Sequence, residues 1–120
     1  MAKLYIEGGK RLAGEIKLQG AKNSALPLLA AALLVDGTTT LHNCPNLTDV
    51  KAAIRILSSL GLKCLQSNND VTVVSGSLNC NTVSTELMRE MRSSALFLGA
   101  ILARCGCATI TAPGGCELGP

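Results

Sequence analysis

Apolar and polar positions alternate over Leu4-Tyr5-Ile6-Glu7 and again over Glu15-Ile16-Lys17-Leu18. Glycine closes each run, at Gly8-Gly9 and at Gly20. The pattern predicts two short strands, 4–9 and 15–20, joined by a polar turn. From Gly20 to Leu34 the chain turns almost wholly apolar, which predicts a buried helix. Asn23 or Ser24 is the expected cap, with Pro27 in the first turn, where a missing N–H is tolerated. Asp36-Gly37 ends it, and Thr38 to Asn43 is β-branched enough for a strand. A second helix is expected from Thr48 to Leu60. Thr48 would cap it, Asp49 suits its first turn, and Gly61 closes it. Val50, Ala53, Ile54, Leu57 and Leu60 form its apolar stripe.

Lys63 to Gln66 and Val71 to Val74 predict a strand pair turning at Asn68-Asn69-Asp70. A polar linker, 75–84, leads to a third helical region over 85–104. Gly106 stops that helix, and Ala108 to Thr111 predicts another strand. The chain also repeats itself. Ser24-Ala25-Leu26 returns as Ser94-Ala95-Leu96 roughly seventy residues later, and Gly37, Thr40 and Leu41 return as Gly106, Thr109 and Ile110. The fold class is therefore α/β (α+β), built from βαβαββ units. The chain holds one complete unit and the start of a second. Such a unit covers its own helix poorly, so further copies are expected in the complete protein.

Composition narrows the possibilities. The 120 residues include one Phe, one Tyr and no Trp, at 48% hydrophobic content. The core must be aliphatic, and aromatic platforms for single-stranded nucleic acid are missing. The net charge of +3 comes from scattered residues, which gives nucleic acid and membrane surfaces little to bind. The start has no apolar signal core, and the apolar run from Leu28 to Val35 is too short for a bilayer. A cytoplasmic protein is expected, with its six cysteines as free thiols. Zinc is disfavoured: Cys105-Gly106-Cys107 is the only tight pair and His42 the only histidine.

The repeat aligns two cations. Lys22 and Arg92 each stand just before the buried helix of their unit. A helix N-terminus already favours anions, and a cation beside it makes an anion pocket. Two such pockets suit a ligand with more than one negative group; two solvated surface charges are the plainer alternative. The final stretch, Ala112-Pro113-Gly114-Gly115-Cys116-Glu117-Leu118-Gly119-Pro120, is a loop that presents one thiol.

The segments Gly20-Ala21-Lys22-Asn23-Ser24-Ala25-Leu26-Pro27, Met91-Arg92-Ser93-Ser94 and Pro113-Gly114-Gly115-Cys116-Glu117-Leu118-Gly119-Pro120 resemble the enolpyruvyl transferase family. Within it they resemble the branch that uses UDP-N-acetylglucosamine. The resemblance runs through essentially the whole chain, in order. It implies an inside-out α/β barrel of two domains, each of three repeated units. On that plan residues 1–20 are strands that join the second domain, and 21–120 are an incomplete first domain. It implies transfer of the enolpyruvyl group of phosphoenolpyruvate to the 3-hydroxyl of UDP-N-acetylglucosamine. Phosphate is released, in the first committed step of peptidoglycan synthesis, without metal or organic cofactor.

By resemblance Cys116 is the general acid, and also the thiol that fosfomycin alkylates. Lys22 and Asn23 contact phosphoenolpyruvate, and Lys22 stabilises charge during addition; Asn23 can also serve as a helix cap. Arg92 contacts the nucleotide-sugar. A thiol near cations has a lowered pKa, which opposes acid catalysis, so bound substrate must set its state. The family's next arginine and its general base lie past Pro120. The 120 residues alone are thus expected to be inactive, and the missing C-terminal part is their implied partner. Two other readings stay open: the sister transferase of the shikimate pathway, against which the cysteine loop argues, and a non-catalytic ligand-binding or interaction module. A cysteine-rich redox or metal protein is a further class, and it would require bound metal or a disulfide.

Overall fold

The computed structural model describes residues 2–114. The regular elements in chain order are α1 (Lys22–Ala31, extended by a 3-10 turn at Ala32–Leu34), β1 (Thr38–Leu41), α2 (Thr48–Ser59), β2 (Lys63–Ser67), β3 (Asp70–Val74), α3 (Thr85–Arg89), a 3-10 turn at Arg92–Ala95, and α4 (Leu96–Cys105). The sheet is antiparallel in the order β1-β3-β2, with Thr40 opposite Thr72 and Leu65 opposite Thr72 on the other side. Strand alternation sends Val71 and Val73 into the core. Thr40 and Thr72 share the opposite face and join their hydroxyls at 3.2 Å.

The core lies between that sheet and the helices. Leu26, Leu29 and Leu33 from α1 and its extension meet Val50, Ile56 and Leu57 of α2 and Ile101 of α4, all fully or almost fully buried. It is aliphatic as expected, apart from Phe97, which is also buried. The α2 stripe shifts slightly. Ala52 and Ile56 are buried beside Val50, Ala53 and Leu57, while Ile54 is only partly covered.

Several expectations change. Residues 2–20 form no strand in the structure, and Leu4, Tyr5 and Ile6 are 84%, 86% and 83% exposed. A strand needs a partner ladder for its backbone groups, and the described residues offer this segment none. One contact ties its end down: Gly20 donates its N–H to the Asn43 carbonyl at 3.1 Å. A Cβ at residue 20 would stand 2.1 Å from that oxygen, so only glycine fits.

The α1 cap is Ala21, extended at φ −75°, ψ 130°, and no side chain caps the helix. Lys22, Asn23 and Ser24 are already helical. Pro27 is therefore the sixth helical residue, and its missing N–H leaves the Asn23 carbonyl without its usual helical donor. Nor is α1 buried all round: Leu28 and Leu34 are both half exposed. The cap of α2 is Leu47 and not Thr48, again without a side-chain bond. Ala108 to Thr111 makes only a single parallel bridge, Thr82 to Thr109.

The helix expected over 85–104 is broken. Ser84 caps its first piece, α3, by accepting the Leu87 N–H. The backbone then opens at Met91 (φ −149°, ψ 147°) before coiling again at Arg92. In a continuous helix the Met88 carbonyl would accept from Arg92. Here it accepts the Ser94 hydroxyl at 2.8 Å and the Gly114 N–H at 2.9 Å. These non-helical donors satisfy the carbonyl, and the buried Met91 side chain anchors the opened turn. Across the break Arg55 of α2 pairs with Glu90, its Nε donating at 3.1 Å. The stop at Gly106 stands as expected.

The two repeated helices meet at their C-terminal ends. Arg104, in the last turn of α4, donates to the carbonyls of Leu33 (2.6 Å) and Val35 (3.2 Å) at the end of the α1 extension. It also reaches the Ser75 hydroxyl (2.8 Å) and the Gly76 carbonyl (2.6 Å). The C-terminal ends of α1 and α4 thus adjoin along their packed length. The guanidinium complements the carbonyl end of the helix, where positive charge is favoured. Replacing Arg104 by methionine keeps the stem and removes the donors. We expect a loss of about 2–3 kcal/mol, read as a lower urea midpoint with an unchanged slope.

Candidate active site

α1 packs against α4, and a cation stands at the start of α1 and of the turn that leads into α4. Lys22 is the first residue of α1, and Arg92 is the first residue of its turn. Both follow a residue with extended backbone, Ala21 and Met91, and neither start has a side-chain cap. The repeat seen in sequence is therefore a repeat in local geometry. The free N–H groups of α1 point out at the end where its cation stands.

The third contribution comes from the chain's last described residues. Gly114 is held to Met88 by its N–H, directly beside the break that precedes Arg92. A Cβ on Gly114 would stand 1.9 Å from the Arg89 carbonyl oxygen and 2.5 Å from the Arg89 Cα. Glycine is required there because two backbones touch. Cys116 follows two residues later in the sequence and lies outside the described residues.

Lys22 is not a bare cation. Its Nζ donates to Asp49 Oδ2 at 2.9 Å, with the Lys22 side chain 44% exposed. Asp49 stands in the first turn of α2, so a second helix start reaches the same place. An incoming anion must compete with that carboxylate, and the half-exposed pair costs little to open. Asn23 is exposed, and among the described residues its side chain carries no hydrogen bond. The capping role considered for Asn23 is removed, because Ala21 occupies the cap. Arg92 is exposed, with no ion pair among the described residues.

Sequence reasoning missed Asp49 as the Lys22 partner, treating it only as a favourable first-turn residue. It noticed Ser94 only as a repeat match and as part of the Met91-Arg92-Ser93-Ser94 segment. No periodicity reports a contact between residues 22 and 49 or between 88 and 114.

Other chemistry is weaker. A groove of about 480 Å³ opens between α1 and β1, lined by Ser24, Leu28, Val35, Thr40 and Cys44 among others. It contains no lysine or arginine, so it does not suit an anionic substrate. Among the described residues no three His, Cys, Asp or Glu side chains gather as a metal would need. His42 Nδ1 instead meets Asp70 Oδ2 at 3.0 Å. That bond, with the Asn43 N–H, holds the Asp70 carboxyl below its usual range. Cys44, Cys64, Cys80, Cys105 and Cys107 are unbridged. Burial pushes the Cys44 and Cys64 thiols up, which makes them poor nucleophiles.

The contact at residue 114 generates a prediction. Gly114→Ala forces the loop off the Arg89 backbone. We expect the amide exchange of residue 114 to speed up by at least about tenfold, one lost hydrogen bond plus strain. The slow exchange of the α2 core amides should stay as it is. Hydrogen exchange followed by NMR reads both.

Residues 6–120 match the family model of EPSP synthase (3-phosphoshikimate 1-carboxyvinyltransferase). A UDP-N-acetylglucosamine 1-carboxyvinyltransferase 2 of Caldanaerobacter subterraneus is 46% identical over 119 residues, covering 99% of this chain and 28% of the relative. Enzymes named UDP-N-acetylglucosamine 1-carboxyvinyltransferase from Desulforapulum autotrophicum and Dichelobacter nodosus are 44% and 45% identical, with 28% and 29% of their lengths covered. The chain thus spans less than a third of these relatives. The crystal structure of the enolpyruvyl transferase NikO from Streptomyces tendae superposes with a TM-score of 0.75. That match covers 84% of this chain and 24% of that one, at 24% identity, and it shows a shared fold. No helix among the described residues is long and apolar enough to cross a membrane. On the extent of the family match, the chain belongs to the EPSP synthase family of enolpyruvyl transferases.

Proposed function

We propose that the protein carrying this segment transfers the enolpyruvyl group of phosphoenolpyruvate to the 3-hydroxyl of UDP-N-acetylglucosamine. One observation supports the reading: Lys22 and Arg92 each head an uncapped helical start, and Gly114, two residues before Cys116 in sequence, is held to Met88 beside the Arg92 turn. The names of the relatives favour the UDP-N-acetylglucosamine acceptor over shikimate 3-phosphate.

The chemistry divides into addition and elimination. The sugar oxygen bonds to carbon 2 of phosphoenolpyruvate while carbon 3 takes a proton, and the hydroxyl proton leaves to a base. Carbon 3 then gives a proton back as the carbon 2–phosphate bond breaks and the double bond reforms. In this reading Cys116 supplies the carbon 3 proton. Lys22, released from Asp49, meets the negative charge of phosphoenolpyruvate beside the free N–H groups of α1. Asn23, freed from capping, offers its amide to the same substrate. Arg92 holds the nucleotide-sugar through charge-assisted hydrogen bonds. No metal or organic cofactor is needed. The reaction is then the first committed step of peptidoglycan synthesis, in the cytoplasm, and fosfomycin alkylates Cys116.

In the same reading residues 1–20 belong with a second domain and 21–120 with the first. The exposure of Leu4, Tyr5, Ile6, Ile16 and Leu18 supports this, since alternating apolar residues need a sheet to cover them.

Phosphate release by the complete natural chain tests the activity. We expect release that requires both phosphoenolpyruvate and UDP-N-acetylglucosamine. Lys22→Met and Cys116→Ala should each lower kcat by about a hundredfold or more. Release that depends on shikimate 3-phosphate would move the protein to the sister activity. Binding of the nucleotide-sugar with no release would make it a binding module.

A further inference from the structure

No side chain caps α1, so something else must fix where that helix begins. The fixed point is Gly20, whose N–H donates to the Asn43 carbonyl at 3.1 Å. Asn43 lies just past the end of β1, in left-handed backbone at φ 54°. That conformation strains most side chains, and asparagine is among the few that tolerate it. A tolerated conformation still needs holding, and the start of β3 supplies the hold. Asp70 Oδ1 accepts the Asn43 N–H at 3.2 Å, and Asp70 Oδ2 meets His42 Nδ1 at 3.0 Å. The Asn69 carbonyl accepts the Cys44 N–H at 2.5 Å. The corner 42–44 is therefore gripped by residues 69–70, and its middle residue presents its carbonyl to Gly20.

We propose that Asp70 is a positioning residue for the start of α1, acting through Asn43 and Gly20 on Lys22. Three links carry the effect. The carboxylate holds the Asn43 N–H, the Asn43 carbonyl holds the Gly20 N–H, and Lys22 follows two residues on along the chain. The middle link is stiff because two backbones touch: a Cβ at residue 20 would stand 2.1 Å from the Asn43 oxygen. A shift of the corner is therefore passed on to the helix entry. Two carboxylates then divide the work on one lysine. Asp49 takes the Lys22 ammonium at 2.9 Å and sets where the side chain rests, while Asp70 sets where its backbone stands. The catalytic meaning rests on the transferase reading; the link from Asp70 to α1 does not. The Asp70 side chain is 47% exposed and Asn43 is exposed. Removing the carboxylate leaves the Asn43 N–H to water, so no buried group is orphaned and the fold survives.

The test uses the complete natural chain and its Asp70→Ala and Asp70→Asn variants. Hydrogen exchange followed by NMR reads two amides at the helix entry: Gly20, and Ser24, whose N–H donates to the Ala21 carbonyl. We expect Asp70→Ala to speed exchange at both by roughly three- to tenfold, the worth of one hydrogen bond, with the α2 core amides unchanged. Asp70→Asn keeps an oxygen for the Asn43 N–H and should exchange like the natural chain. In turnover, Asp70→Ala should raise the KM for phosphoenolpyruvate by a similar factor and leave the KM for the nucleotide-sugar as it is. Asp70→Asn should restore the first. Unchanged exchange at Gly20 in Asp70→Ala overturns the proposal, as does equal speeding in the α2 core. Faster exchange at Gly20 with an unchanged KM for phosphoenolpyruvate, in a chain that turns over, overturns it too. If the natural chain releases no phosphate but Gly20 and Ser24 respond selectively to Asp70→Ala, the transferase reading fails and the link to the start of α1 stands.

Discussion

The Met88 carbonyl is the acceptor on which the site end of the molecule depends. A helix interior would pair it with the Arg92 N–H, and residues 85–104 would then form one rod. Because Ser94 and Gly114 take it instead, the rod breaks at Met91 and a new helical start appears with Arg92 at its head. The break also frees the Arg89 backbone to receive the loop. One carbonyl with two redirected donors thus links the Arg92 turn to Gly114.

Arg104 does the matching work at the other end. By binding the carbonyls at the end of the α1 extension it holds the C-terminal ends of the two repeated helices, α1 and α4, together. At the start of α1, Lys22 pairs with Asp49 of α2. This arrangement holds cations ready while one of them is charge-balanced, which limits the cost of gathering positive groups at uncapped helix starts.

Much of this was legible in the sequence. The existence of α1, the apolar stripe of α2, the antiparallel pair β2–β3 and the Gly106 stop follow from local rules about apolar spacing and glycine. The repeat also put Lys22 and Arg92 in equivalent places. The illegible parts are non-local. Residues 4–9 and 15–20 alternate like strands, but alternation cannot supply a partner ladder. Asn23 and Ser24 look like caps, yet Gly20's backbone contact with Asn43 holds the entry so that the helix starts earlier, at Lys22. The break at Met91 depends on Gly114, more than twenty residues away. Cys116 was legible only as a thiol in a glycine-rich loop and by resemblance, and the structure adds the anchor of that loop.

The central claim is that the starts of α1 and of the Arg92 segment serve one ligand site. Hydrogen exchange of the complete natural chain, with and without phosphoenolpyruvate and UDP-N-acetylglucosamine together, tests it most directly. The account predicts simultaneous protection of amides 22–26 and 92–96, with the C-terminal turns of α1 and α4 unchanged. Protection at only one of the two starts, or at neither while the ligands are bound, would contradict it.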